Sequence, residues 1–491
     1  MKNILKYLSI VAMLAVSSCA LTELDYLDNP NGVSPENAES RFVFYAIQLD
    51  LENFYSSVNW SASRPVRMLP MTGGNIYNNA FSALTFNGAW NLAYSNLFPD
   101  MDALIAVTET EGSEFPALAG ATKVMKAYVM MTLVDLFGDV PYSEAGQGVV
   151  NKSPKADPQQ SVYDAALALL DEAVKDLGTP GPEIDSGDDL FYGGDVDKWL
   201  ALANTMKLKW YITTRLVASP TAEINALVDH VIQDADGDFQ FNFGTNRLNP
   251  DARHPFYINH YEAGSGVYLS NYYMWSLKSE KGDVEDPRLR YYFYRQDAHP
   301  ELADAFTLGC LTNPRPLHYT GPYPFCVELN GGYWGRDHGD NSGIPPDGDR
   351  RTVFGLYPGG GKFDNGEGEA EIAAVKNQGA DGAKGQGIAP IMLSSFVKFM
   401  LAEASLTLGT TGDAKTYLEQ GIRESIAKVM SFGDLDPDVN PDLVPTQDDI
   451  DAYVAHVMDA YDNAGNDDEK LDIIMKEYHI ALWGNGMEAY N

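Results

Sequence analysis

The chain has 491 residues, 45% of them hydrophobic, with 34 basic against 69 acidic side chains and a net charge of −35. That apolar fraction is enough to bury a large core and excludes broad disorder. The charge excludes a general nucleic-acid binder, which needs clustered Lys and Arg, and argues against adhesion to anionic lipid through the protein surface.

The first residues are basic at Lys2 and Lys6, then apolar over 7–16, then Ser17-Ser18-Cys19. So short a run after positive charge reads as an export signal over residues 1–18, not as a membrane span. The Cys after two Ser looks like the lipobox of a bacterial lipoprotein. Cys19 is therefore expected to carry acyl chains and to open the mature chain, 19–491, tying it to a membrane by lipid alone. An ordinary signal peptide with an incidental Cys is the alternative reading. No uninterrupted apolar run of about 20 residues follows, so no spanning helix is expected.

Helical periodicity then predicts elements over 41–58, over 84–108 with a break or kink at Pro99, and over 115–137, ended by Gly138 and Pro141. The stripe over 161–177 has Ser161 as its expected N-cap and Gly178 as its stop. Helices over 197–217 and 221–233 complete this half. From 237 to 389 Gly, Pro, Asn, Asp and aromatics dominate, with one helical stretch over 268–277. Tyr291 to Tyr294 reads as strand or buried chain. Helices resume over 390–408, 411–430, 446–460 and 466–482. The expected fold class is all-α, mainly helical. A scaffold of tetratricopeptide-like hairpins, 36–236 and 390–490, carries a loop-rich, partly irregular lobe, 237–389, as one domain.

Of the three cysteines, Cys310 and Cys326 remain once Cys19 is set aside. In an exported chain they are expected to pair, and the loop so closed would gain about 3 kcal/mol in the chain-entropy model. Two separate buried thiols is the other reading.

Local catalytic motifs fail one by one. Gly359-Gly360-Gly361-Lys362 is followed by Phe363 and lacks the spacing of a phosphate loop. The eight His include no zincin pair. Gly264-Ser265-Gly266 lacks the nucleophile-elbow spacing. A calcium hand starting at Asp234 would need Gly at Phe239 and Glu at Thr245. Asp340, Asp347 and Asp349 could hold calcium or be solvated loop acids. Carboxylate pairs are unmarked among so many acids. The sequence implies no cofactor and no resident metal.

Aromatic density stands out instead. There are 28 Tyr, and the middle region carries Tyr257, Tyr261, Tyr268, Tyr272, Tyr273 and Trp275. Exposed rings stack on the apolar faces of sugars or grip peptide side chains, while Asn, Asp and Arg pair with hydroxyls or carbonyls. Ligand-binding candidates are Trp60, Tyr77, Trp275, Tyr333, Trp334, Arg336 and Asp337, with core packing the competing reading for each ring. Arg64 and Arg67, with Arg350 and Arg351, could form a basic patch or stand as solvated charge.

Several segments together carry a resemblance. They are Asp28-Asn29-Pro30-Asn31 after the lipobox, Leu133-Val134-Asp135-Leu136-Phe137-Gly138-Asp139-Val140-Pro141-Tyr142-Ser143-Glu144-Ala145, Gly335-Arg336-Asp337-His338-Gly339, and Leu482-Trp483-Gly484-Asn485-Gly486-Met487-Glu488-Ala489-Tyr490. The chain resembles the SusD/RagB family of Bacteroidetes surface lipoproteins, and the likeness spans nearly its whole length. Relatives continue past the last motif with Trp-Arg-Arg, where this sequence ends at Asn491. The resemblance implies a helical fold with tetratricopeptide-type hairpins and no enzymatic activity. It implies a lipid-anchored place on the outer membrane at the cell surface, as a lid on a SusC-like TonB-dependent transporter. The implied cargo is an oligosaccharide or, in some branches, a peptide, with a surface glycosidase the remaining alternative. The 138–145 stretch has a local account as a helix stop and is expected to be structural.

Overall fold

The computed structural model describes residues 39–72, 81–82, 84–110, 112, 114–262, 267–296, 332–339, 351–366 and 379–491. Cys19, Tyr77, Cys310, Cys326, Arg350 and the acids Asp340, Asp347 and Asp349 lie outside these residues.

The fold is helical. Helix α1 spans Ser40–Ala62. The expected kink at Pro99 is a change of helix type: α2, Asn87–Asn91, runs through a π-helical turn, Leu92–Leu97, into α3, Phe98–Thr108. Proline has no N–H to give to the ladder, and here it sits in the first turn of α3, where none is needed. Helix α4, Pro116–Phe137, is buried on nearly every side. It alone among the described residues is long and apolar enough to cross a membrane by composition, and its all-round burial makes it the core helix of this half.

Helix α5, Gln159–Leu177, lies antiparallel on α4. Gly120 near the start of α4 approaches Leu177, and Asp135 near its end accepts from the Tyr163 hydroxyl. Ser161 is not the cap: the helix starts two residues earlier, after Pro158, and the Ser161 hydroxyl donates to the Pro158 carbonyl at 2.7 Å. Gly138 ends α4 at φ +72° and ψ −116°, a region that favours glycine. Helices α6, Val196–Thr213, and α7, Thr221–Leu227, follow. Asp195 caps α6, accepting from Asp197 and Lys198.

The middle region holds short elements. Strand β1, Phe239–Asn242, pairs antiparallel with β4, Ile388–Met392, with a bulge after Phe239. Helix α8 is Asn271–Lys278. Tyr291 and Tyr292 end a helical turn, and Phe293–Tyr294 forms β2, paired with β3, Val353–Phe354. Pro390, expected in a helix, lies in β4 opposite Gln240.

Helices α9, Ser394–Leu408, and α10, Ala414–Met430, form a second hairpin, with Gly421 against the Phe399 ring. They are followed by α11, Gln447–Asn463, α12, Asp467–Ala481, and α13, Gly486–Tyr490. Asp413 caps α10 by accepting from the Thr416 N–H and hydroxyl, each at 2.8 Å. Asp413→Ala is expected to cost about 1 kcal/mol, read from the midpoint of urea unfolding, and Asp413→Ser to recover most of it.

The two ends of the chain meet. The Tyr55 hydroxyl and the Asn59 amide of α1 donate to the Gly484 carbonyl at 2.9 and 2.8 Å, and Gly486 N–H donates back to Asn59 Oδ1 at 2.6 Å. One hydrophobic cluster runs from Phe44 in α1 to Met487 in α13, taking in both hairpins and most buried rings of the middle region, while Tyr257 and Tyr261 pack with Val353 in a second, small cluster.

Candidate functional site

The segment after α1, residues 63–72, draws the sequence candidates toward one seam. Trp60, half-buried in the last turn of α1, packs against Phe256 with ring centroids 5.9 Å apart. One turn further on, the Arg64 guanidinium lies 5.4 Å from the indole, and burial holds its pKa below the ordinary value. The Val66 carbonyl then accepts from His479 Nε2 at 3.0 Å, which fixes the proton of that imidazole on Nε2. The His479 ring sits 5.0 Å from Tyr273 in α8, two residues before Trp275. Met71 closes the seam: its N–H reaches His338 Nδ1 at 3.4 Å and its carbonyl accepts from Gly339.

The far wall is α8. Tyr272 and Trp275 are half-buried, with rings 6.1 Å apart, and Lys476 lies 4.6 Å over the Tyr272 ring. Its ammonium donates to the Tyr272 hydroxyl at 3.0 Å and pairs with Glu280 at 2.8 Å. Burial pushes this ammonium down, but Glu280 and Tyr272 outweigh it and hold it above its ordinary value. His338 is lowered to about 4 by burial, with Arg67 adding to the effect. At neutral pH the imidazole is therefore an uncharged acceptor.

Tyr333, Trp334, Arg336 and Asp337 form the floor of the seam. Each is 5% exposed or less. Residues 335–336 pair with the chain before α8: Arg336 N–H donates to the Leu269 carbonyl, and the Arg336 carbonyl accepts from Asn271 N–H, both at 3.0 Å. A Cβ on Gly335 would stand 2.4 Å from the Leu269 oxygen, so this pairing requires glycine. The Arg336 guanidinium rests 4.7 Å from the buried Tyr268 ring, with Arg351 5.8 Å away, and Arg295 covers Tyr333 at 4.8 Å. The structure thus separates the candidates into half-buried rings, Trp60 and Trp275, and four buried side chains, Tyr333, Trp334, Arg336 and Asp337. Lys476 and His479 carry no mark in the sequence, where a lone Lys or His in a helix is unremarkable, and His338 stands out there only as part of the 335–339 motif. Arg64 was noted only for its charge.

Residues 51–306 match a SusD-like family described as "starch-binding associating with outer membrane". The chain belongs to the SusD/RagB family. Among curated protein sequences none matches it. Solved SusD-type structures are similar over most of its length. A chitin-binding SusD homologue from Flavobacterium johnsoniae is 17% identical at a TM-score of 0.64, covering 92% of this chain and 85% of its own. A SusD/RagB family protein from Bacteroides thetaiotaomicron is 20% identical at 0.64, covering 92% and 86%. A SusD homologue from Bacteroides fragilis is 18% identical at 0.62, again covering 92% and 86%. At these identities the likeness is one of fold. It places the helical hairpins and the irregular middle region of this chain within the SusD architecture.

Proposed function

We propose that this SusD-family protein captures oligosaccharides at the cell surface without altering them, and passes them to a SusC-like TonB-dependent transporter in the outer membrane. Acylated Cys19 would supply the tether. The observation that carries the reading is the Trp60–Arg64 pair. A half-buried indole stands beside a guanidinium that makes no hydrogen bond or ion pair among the described residues. An apolar ring face with adjacent fork-shaped donors matches a pyranose, which offers C–H bonds on its face and hydroxyls on its edge. Further along the seam the Lys476 ammonium adds a donor beside the Tyr272 ring. Beside α8 the acid Glu280 is held in an ion pair by Lys476 at 2.8 Å. That favours binding over acid–base chemistry. Family membership and the chitin-binding relative of the same fold support a glycan as cargo. Arg336 and Asp337, candidates for a glycan and a peptide alike, are both buried.

Calorimetric titration with chito-, malto-, xylo- and β-gluco-hexaose tests this. At least one is expected to bind, with no new reducing ends. Arg64→Ala should weaken that binding about tenfold and Trp60→Ala by more. Unchanged affinity in both folded variants, or release of reducing sugar, would overturn the reading.

A further inference from the structure

A second aromatic surface lies outside the seam. Six rings touch in series along α2, α3 and the end of α4. Phe81 stacks on Phe86 at 6.0 Å; Phe86 and Trp90 both meet Phe137 edge-on at 5.3 Å. Trp90 meets Tyr94 at 4.7 Å, and Tyr94 meets Phe98 at 5.3 Å. Phe81 is 37% exposed and the other five are half-buried. A run of large rings left partly in water costs stability that deeper burial would have gained, and such patches on soluble domains mark binding surfaces.

The ladder ends in a groove of about 280 Å³. Tyr94, Phe98 and Tyr142 supply its aromatic wall, and Asp102, Lys126 and Ser143 its polar rim. The Tyr94 hydroxyl donates to the Pro141 carbonyl at 2.7 Å, which fixes the ring's orientation. The Tyr142 hydroxyl makes no hydrogen bond among the described residues. Lys126 and Asp102 pair with each other, so the rim offers donors and acceptors with no net charge. The 138–145 stretch that precedes and includes Tyr142 stops α4, and the same turn builds one wall of this groove.

We infer that this groove is a second binding site, for an uncharged pyranose chain, separate from the seam at Trp60. The inference rests on the glycan reading for its ligand class but on different residues. Ring faces beside a free hydroxyl and a neutral ion pair suit sugar hydroxyls and C–H faces together. A charged ligand would break the Lys126–Asp102 pair. A purely apolar ligand would leave the Tyr142 hydroxyl unsatisfied.

The ladder also gives the groove a direction. Helix α1 and the α2–α3 stretch run antiparallel, with Asn96 donating to Asp50 at 3.0 Å and Gly88 beside Ser57. The Phe86 end of the ladder therefore lies level with the Trp60 end of α1. The groove at Phe98 is about 18 Å further along the helix axis. One long glycan touching both sites would gain effective concentration at the second.

The test is calorimetry of the full chain with the same four hexasaccharides, using Tyr142→Ala, Asp102→Ala and Trp60→Ala, with melting curves to establish folding. Wild type is expected to bind two equivalents of at least one sugar. Trp60→Ala should leave one, and Tyr142→Ala should weaken the other about tenfold. Asp102 is exposed on one helix face, so Asp102→Ala keeps the test open if Tyr142→Ala fails to fold. Wild-type affinity and stoichiometry in the folded groove variants overturn this inference and leave the seam reading standing. Loss of all binding in the groove variants, with none lost in Trp60→Ala, overturns the seam reading and leaves this one. Silence across all four sugars overturns both.

Discussion

Arg288→Ala is expected to lower the stability of the folded chain by about 3–5 kcal/mol, read as a fall in the midpoint of urea unfolding. Arg288 is 0% exposed. Its guanidinium holds Asp286 through two bonds, Nε to Oδ1 at 2.8 Å and Nη2 to Oδ2 at 2.7 Å, while Nη1 donates to the Ser425 hydroxyl of α10 at 3.0 Å. Nη2 also lies 3.3 Å from the Tyr453 hydroxyl of α11 and from Glu477 of α12. Tyr453 in turn donates to Glu477 at 2.8 Å. Burial pushes the Asp286 carboxyl up, but Arg288 outweighs it and holds the carboxyl below its ordinary range. One side chain thus joins the irregular region to three helices of the second half. Alanine would strand the buried Asp286 carboxylate, while Glu477 keeps Lys281 at 3.0 Å and the Tyr453 hydroxyl, and the desolvation of Asp286, more than the lost attraction, sets the size of the effect. A double variant, Arg288→Met with Asp286→Leu, removes the charge on both sides and should recover part of the loss. If Arg288→Ala matched wild type within 1 kcal/mol, water would have to reach this network in the folded state.

The helices were legible because their apolar residues recur at helical spacing over many turns. In α5, Val162, Ala166, Leu170, Ala173 and Leu177 all point inward. Ends were less legible, since a cap depends on one side-chain bond. Ser161 has the right chemistry at the wrong backbone position, whereas Asp195 and Asp413 meet both conditions. The last three residues of β4 fall at the start of the expected helix over 390–408 because buried apolar residues in a row have the same pattern in a buried strand and a buried helix. What decides is a partner 150 residues earlier, in β1. The seam failed in the same way. Tyr333 to Asp337 sit among Gly and Asn, the local texture of an exposed loop, but pairing with Leu269 and Asn271 folds them under α8. Aromatic density told that the middle region matters. Which rings stay half-buried depends on contacts between segments that no window of sequence contains.

Acid should destabilise this chain well above the range in which most carboxylates titrate. His254 and His260 are 5% and 3% exposed. Burial lowers both to about 3 from an ordinary 6.5. The two differ in kind. His254 Nδ1 accepts from Phe256 N–H at 3.0 Å, whereas both nitrogens of His260 lack a hydrogen-bond partner among the described residues. The His260 ring stands edge-on to Phe354 at 4.9 Å, and Arg351 adds to the burial that keeps it neutral. Between pH 6.5 and 3 the unfolded chain binds protons at these positions that the folded chain refuses. Their contribution to stability is therefore complete above pH 6.5 and is lost as pH falls, by roughly 2 kcal/mol for each histidine at pH 5. Asp135 works in the opposite direction: burial raises it to about 6, so protonation near pH 5 favours the folded form and offsets part of the loss. Urea midpoints measured from pH 7.5 to 5 should fall steadily through this window. His260→Phe should flatten the slope and, by removing two unsatisfied nitrogens, raise stability at pH 7.5. His254→Phe would flatten it as well but lower the plateau, because it removes a bonded acceptor. An unchanged slope in both variants would mean that these rings take up protons in the folded chain as readily as in the unfolded one.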